Sequence, residues 1–207
     1  MLPIEIFYSF QCPYCYLALD RLCELEQKFD VKVLWQPFSA KPVGKNFNNS
    51  FAMPEEKLSY IKDDVARLAR RMGMPLVIDP NWPDAEFDPD RSMRGAIIAG
   101  DMEVAMEYNI KVFHRWWGEG IEPNDHNFLI ELCNDLDVDP NEFTVKINSA
   151  DTRERVKGIY RRGKKLGIFE VPTVVIGEER FAGIDRIEMV EEKLASMELK
   201  RVAASRA

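Results

Sequence analysis

Long apolar runs are missing from this chain of 207 residues. None approaches the roughly 18 residues a membrane-spanning helix needs, so no span is expected. Excess positive charge is missing too. The net charge is −7, whereas a nucleic-acid partner calls for a basic surface to meet phosphate. Histidine is scarce: His114 and His126 are the two present, at no recognisable metal spacing. Cysteine is also scarce. Cys12, Cys15, Cys23 and Cys133 are too few for a disulfide scaffold in a chain of this length. Internal repeats and low-complexity tracts are absent. The N-terminus, MLPIEIFYSF, has no basic n-region and carries Glu5 within its apolar stretch, so it does not read as a signal peptide. The expected compartment is the cytoplasm. What remains is a hydrophobic fraction of 46%, ordinary for a soluble domain with a core.

Periodicity divides the chain into three stretches. PIEIFY (3–8) mixes β-branched and aromatic residues and predicts a strand. From Pro13, apolar residues recur at helical spacing as far as Phe29. VKVLWQPF (31–38) predicts a second strand, completing a βαβ unit. The middle stretch predicts helices at 54–73, 91–110, 124–136 and 141–147, with a loop rich in proline and aspartate at 74–90. No strand pattern interrupts it, so about 53–148 is expected to be an all-helical insertion. The last stretch predicts a basic helix at 151–168, a strand at 171–177, a hairpin partner in GEERFAG and an amphipathic helix at 184–199. The outer stretches are expected to form one α/β sheet flanked by helices, with the middle inserted as a lid or cap.

Cys12 and Cys15 frame CPYC at the first strand-to-helix boundary. A cysteine at a helix N-terminus faces free backbone N–H groups and the positive end of the dipole, which favour its thiolate. The second cysteine lies one turn inside, within reach of a disulfide. That arrangement makes Cys12 the expected nucleophile and Cys15 the resolving thiol. Two blander readings compete. A zinc site needs a second ligand pair, and Cys23, Cys133, His114 and His126 offer no paired spacing. A chance CxxC inside a helix would have no reason to fall on a βα boundary with proline between the cysteines. Cys23 and Cys133 sit on apolar helical faces and read as core.

Other signals carry less. Pro172, in VPT (171–173), opens an apolar strand, where proline is confined to edges or the first position. Spacing alone leaves a cis bond and an ordinary trans bond equally open. A cis bond would turn the backbone N–H and C=O of Val171 toward an extended ligand. NDLDVDPNEFTVK (134–146) mimics a calcium loop, but Pro140 and Lys146 replace the required glycine and glutamate. NNS (48–50) is a glycosylation sequon only in a secreted chain. Phe113, Trp116 and Trp117 predict a helix with one buried and one exposed indole, in the core in preference to a cap over Cys12. Lys45 is a candidate contact for an anionic ligand, weighed against an ordinary surface lysine.

SFQCPYC, the helical middle and GIFEVPTVVIGEERFAGIDRI together resemble the DsbA-like branch of the thioredoxin superfamily. More narrowly, they resemble the group of 2-hydroxychromene-2-carboxylate isomerases, kappa-class glutathione transferases and FrnE-like oxidoreductases. MGMPLVIDPNWPDAEFDPDRSMRGAIIAGD (72–101) is similar to a loop and helix of that group. The resemblance implies a thioredoxin-like α/β domain built from residues 1–52 and 149–207, with the helical insertion at 53–148. It implies Cys12 as nucleophile, Cys15 as resolving thiol and a cis Pro172 opposite them. It gives the Val171 backbone to glutathione or a peptide, beside Tyr14. Asp185 matches the acidic residue that takes the ammonium end of glutathione, although a helix N-cap before 186–199 fits it equally well. The isomerases and kappa transferases carry serine where this chain has Cys12, so two cysteines point to redox chemistry. DsbA has a histidine within its CxxC, and Tyr14 supplies no such cation. The expectation is a thiol–disulfide oxidoreductase acting on protein disulfides. The alternatives are a glutathione-dependent isomerase or transferase, and a redox-silent interaction module. No tightly bound cofactor and no metal is expected, with glutathione a candidate co-substrate. Expected partners are protein or small-molecule thiols and disulfides, neither nucleic acid nor membrane, with a homodimer as a candidate state.

Overall fold

The structure is a computed structural model that describes residues 1–38, 54–80, 82, 89–121 and 126–201. Lys45 and the sequon at 48–50 lie outside the described residues.

The chain opens with β1 (Leu2–Tyr8), α1 (Pro13–Cys23), the short α2 (Leu25–Lys28) and β2 (Val31–Pro37). The described elements that follow are all helical: α3 (Glu55–Met72), α4 (Pro89–Asp101), α5 (Ala105–Phe113), a π-helical turn (His114–Gly118), α6 (His126–Asp135) and α7 (Pro140–Ile147). Then come α8 (Ala150–Lys165), β3 (Thr173–Ile176), β4 (Glu179–Ala182), a 3₁₀ turn (Ile184–Arg186) and α9 (Ile187–Ser196). Local chemistry sets the boundaries. Gly73 ends α3 in the left-handed region, at φ 68°, and lets the Met74 N–H reach back to the Ala69 carbonyl. The Ser149 hydroxyl caps α8 by accepting from the Thr152 N–H.

The sheet order is β2-β1-β3-β4, with β1 and β2 parallel and the other two pairings antiparallel. Strand alternation splits the core. Ile4 and Ile6 of β1 pack with Leu22 of α1 and with Val190 and Leu194 of α9. Phe7 faces the other way, toward Phe38, Ile168 and Val175. Both faces of β1 are therefore covered, which is why its sequence is apolar along most of its length. Beyond the sheet, Tyr8, Phe10 and Tyr16 enter a third cluster with Tyr108, Phe113, Trp117 and Phe143. The end of β1 and the start of α1 are thus packed into the middle helices.

The outer edge of β2 is closed in part. The Leu2 N–H donates to Asp30 and the Phe38 N–H to Tyr8, so even-numbered residues of β2 face β1 and odd-numbered ones face outward. Of these, Val33 donates its N–H to Glu26 Oε1 at 2.6 Å. Pro37 has no N–H to offer.

Two expectations change. The helix expected at 91–110 is two helices, α4 and α5. Val104 N–H bonds to the Ala99 carbonyl and Glu103 N–H to that of Gly100, closing α4 around Glu103 at φ 62°. Apolar spacing runs through this break and hides it. Trp116 and Trp117 are both buried, 7% and 1% exposed, where one exposed ring was expected. The wide π turn brings consecutive rings into one stack, with centroids 5.3 Å apart.

Candidate active site

The loop Ser9–Gln11 leaves β1 and delivers Cys12 to the N-cap of α1. Cys12 is extended there, at φ −97° and ψ 112°, and Pro13 begins the helix. The Cys12 carbonyl accepts the N–H groups of Cys15 and Tyr16 at 3.0 and 3.3 Å. Cys12 is half-buried, Cys15 is 1% exposed, and all four cysteines are free thiols.

This geometry separates the two sulfurs. A hydrogen bond from the Cys15 thiol is the largest influence on Cys12 and lowers its pKa. Burial opposes it, the backbone N–H groups of Cys15 and Tyr14 add to it, and the Glu170 carboxylate opposes it more weakly. The net direction is below an ordinary thiol. Burial pushes Cys15 the other way, well above the ordinary value, and its role as donor to Cys12 adds to that. Cys12 therefore ionises first while Cys15 keeps its proton. Cys23 and Cys133 are pushed up to about 12 and about 11 by burial, as befits core thiols.

Across from Cys12, the Val171–Pro172 peptide is cis. The neutral Cys12 thiol donates to the Val171 carbonyl at 3.3 Å. Ionisation forfeits that bond and leaves the helix N–H groups to hold the thiolate. The segment is anchored on both sides: Thr173 Oγ1 donates to the Glu170 carbonyl at 2.6 Å, and the Gly183 N–H to the Pro172 carbonyl at 2.8 Å.

Tyr14 turns toward α3, where its hydroxyl donates to Asp64 Oδ2 at 2.9 Å. Asp64 also pairs with Arg67 at 3.2 Å. Burial and the Asp64 carboxylate raise the Tyr14 phenol far above its usual range, so it stays neutral. Asp185 is exposed and pairs with Arg186 at 2.7 Å. The N-cap explanation for Asp185 fails: Gly183 and Arg186 hold the N-cap positions of the 3₁₀ turn and of α9, and no side chain caps either. The 3₁₀ turn takes Asp185 inside itself and leaves its carboxylate to the adjacent guanidinium.

Sequence reasoning missed two tryptophans. Trp117 Nε1 donates to the Phe10 carbonyl at 2.8 Å, and Trp82 Nε1 to the Gln11 carbonyl at 3.0 Å. Each such bond is worth about 1 kcal/mol net. Trp82 sits in the proline-rich loop, where no periodicity marks it, and Trp117 reads as core, which it also is. Among the described residues, no group of three or more His, Cys, Asp or Glu could hold a metal, and no helix is long and apolar enough to cross a membrane.

A helix-capping CxxC facing a cis proline, on this sheet order, has recognisable relatives. Residues 3–195 match the DSBA-like thioredoxin domain. The chain belongs to that family. Among its DSBA-like relatives, the 2-hydroxychromene-2-carboxylate isomerase of Pseudomonas putida is 27% identical over 197 residues, 94% of this chain and 95% of its own. A solved 2-hydroxychromene-2-carboxylate isomerase superposes with a TM-score of 0.78 at 26% identity, covering 95% of this chain and 96% of its own. The cytosolic disulfide reductase DsbM of Pseudomonas aeruginosa, solved with GSH, superposes with a TM-score of 0.66 at 18% identity, covering 94% and 100%. That last likeness is one of fold. This DSBA-like chain thus sits in an enzyme family that holds both oxidoreductases and isomerases, and the expected thioredoxin-like α/β fold holds.

Proposed function

We propose that the chain is a thiol–disulfide oxidoreductase working through Cys12 and Cys15. One observation carries the reading. Cys12 stands at the open amide end of α1 with its thiol pKa lowered, and a buried Cys15 one turn behind is its hydrogen-bond donor. The Cys12 thiolate attacks one sulfur of a substrate disulfide, and the other sulfur leaves as a thiolate and takes up a proton. Cys15 then loses its proton and attacks Cys12 Sγ. The Cys12–Cys15 disulfide forms and the second substrate thiol is released. Two electrons pass from the protein dithiol to the substrate. Two glutathione thiols reverse the change and leave as glutathione disulfide.

In this reading Val171 and Pro172 present the substrate to Cys12, and Tyr14 walls the site from the α3 side. Asp185 is free to exchange Arg186 for the ammonium end of glutathione. The solved fold neighbour with GSH supports glutathione as the co-substrate. Residues 1–52 and 149–207 are read as the thioredoxin-like domain, with 53–148 inserted between its halves.

A second reading has its own support. The curated relatives that match nearly the whole chain include isomerases. Under that reading Cys12 is a non-redox polar group that positions glutathione. The deciding measurement is a redox titration of the Cys12–Cys15 couple against glutathione, followed by Cys15→Ser. A reversible dithiol–disulfide transition, together with mixed disulfides trapped by Cys15→Ser, supports the oxidoreductase. No such transition, with a glutathione-dependent isomerase rate untouched by Cys15→Ser, overturns it.

A further inference from the structure

Two consecutive peptide groups precede Cys12, and each is held at both of its ends. In the Phe10–Gln11 peptide, the carbonyl accepts from Trp117 Nε1 at 2.8 Å and the N–H donates to Ser9 Oγ at 3.3 Å. In the Gln11–Cys12 peptide, the carbonyl accepts from Trp82 Nε1 at 3.0 Å and the N–H donates to the Ser9 carbonyl at 3.1 Å. A peptide is planar, so fixing its oxygen also fixes its N–H. The two indoles, with Ser9, therefore hold the peptide plane from which the Cys12 backbone, and the Cα that carries its Sγ, departs. Both come from far along the chain, at sequence separations of 71 and 107. They also touch one another, edge to face, with ring centroids 5.8 Å apart. Trp117 belongs to the π-helical turn, whose Trp117 carbonyl in turn receives the Val77 N–H at 2.6 Å. The turn, Val77, Trp82 and the approach to Cys12 are linked by these hydrogen bonds.

We propose that Trp82 and Trp117 are positioning residues for Cys12, holding the two peptide carbonyls before it away from its sulfur so that, on the α1 side, the thiolate faces amide N–H groups and no carbonyl. The physical reason is electrostatic. A carbonyl oxygen turned toward Sγ places partial negative charge beside a developing anion, as Val171 already does from the opposite side. With both oxygens engaged by indole N–H groups, neither peptide can rotate that way. This rests on the reading of Cys12 as the reacting sulfur.

The test uses the full-length reduced protein and measures iodoacetamide alkylation of Cys12 against pH, with the site read by peptide mass mapping. Trp82→Phe and Trp117→Phe keep an aromatic ring and remove the N–H. Each is expected to slow alkylation at pH 7 about threefold to tenfold and to move the midpoint upward by about half to one pH unit, the value of one lost hydrogen bond. Phe143→Leu serves as the packing control. Phe143 lies in the same core cluster, against the ring of Tyr108, so its replacement is expected to lower the melting temperature and leave the Cys12 profile in place. Where Trp117→Phe does not fold, the less enclosed Trp82→Phe carries the test. Profiles of folded Trp variants that superimpose on the wild type overturn the proposal, as does an equal shift in Phe143→Leu. A wild-type Cys12 that titrates like a free thiol overturns instead the redox reading on which the proposal stands.

Discussion

Two loops meet at Cys12, and they are built to opposite plans. Ser9–Gln11 is enclosed, with both peptide groups around Gln11 bonded at each end. Phe169–Val171 lies open: Phe169 is 75% exposed, Glu170 is exposed, and Val171 turns its carbonyl to the Cys12 sulfur. Only the second brings a carbonyl to the Cys12 sulfur. The first holds the peptide plane that leads into Cys12. The second is, in the proposed function, what an arriving substrate meets. Rigidity on one side and access on the other is what a thiol needs if it must both hold a low proton affinity and accept a bulky disulfide.

The largest test of that contrast is chemical. Cys15→Ser leaves both loops intact but removes the thiol that, in the proposed oxidoreductase reading, releases a captured substrate. Dithiol turnover should vanish, and Cys12-linked mixed disulfides should accumulate on non-reducing mass spectra. Next in size is selectivity among the four thiols. Only the thiolate reacts with iodoacetamide, and a lowered pKa keeps Cys12 reactive below the ordinary thiol range of about 8.5. Near pH 7 the native protein should lose one thiol quickly. Cys15, Cys23 and Cys133, whose pKa values burial raises, should react only after denaturation. Equal labelling of two or more in the native state would contradict the split between Cys12 and the rest.

Smaller effects separate the loops themselves. Phe169→Ser should raise KM for a peptide disulfide about threefold to tenfold through lost apolar contact. It should leave the Cys12 alkylation profile unchanged. A shifted profile with unchanged KM would assign the open loop the enclosed loop's job. Glu170→Gln is the smallest. Its carboxylate disfavours the Cys12 thiolate, so removing the charge should speed alkylation at pH 6 about twofold, a gain typical of an exposed charge. Added salt should abolish the difference between variant and wild type.

Much of this molecule is local and therefore legible. The βα boundary at Cys12, the βαβ opening and the hairpin at 173–182 follow from period changes and from where proline and glycine fall. Cys23 and Cys133 follow from their apolar faces. The resemblance, not spacing, favoured the cis bond at Pro172, because a strand-opening proline looks the same in either isomer. What stayed hidden is non-local. An indole N–H that bonds to a carbonyl 71 or 107 residues away leaves no pattern in its own neighbourhood. The break between α4 and α5 depends on Glu103 taking a left-handed backbone, a conformation glutamate does not advertise. Asp185 misled for a related reason: an acidic residue near a helix start suggests a cap, but a single 3₁₀ turn shifts which residue occupies that position.

The outer rim of the sheet carries a consequence of its own. A stray strand arriving at β2 would look for alternate amides to pair with, and it finds the one at 33 already claimed by Glu26 and none at 37. Two of the outward positions on that edge are therefore closed to a strand of another copy. Strand addition at that rim is discouraged accordingly.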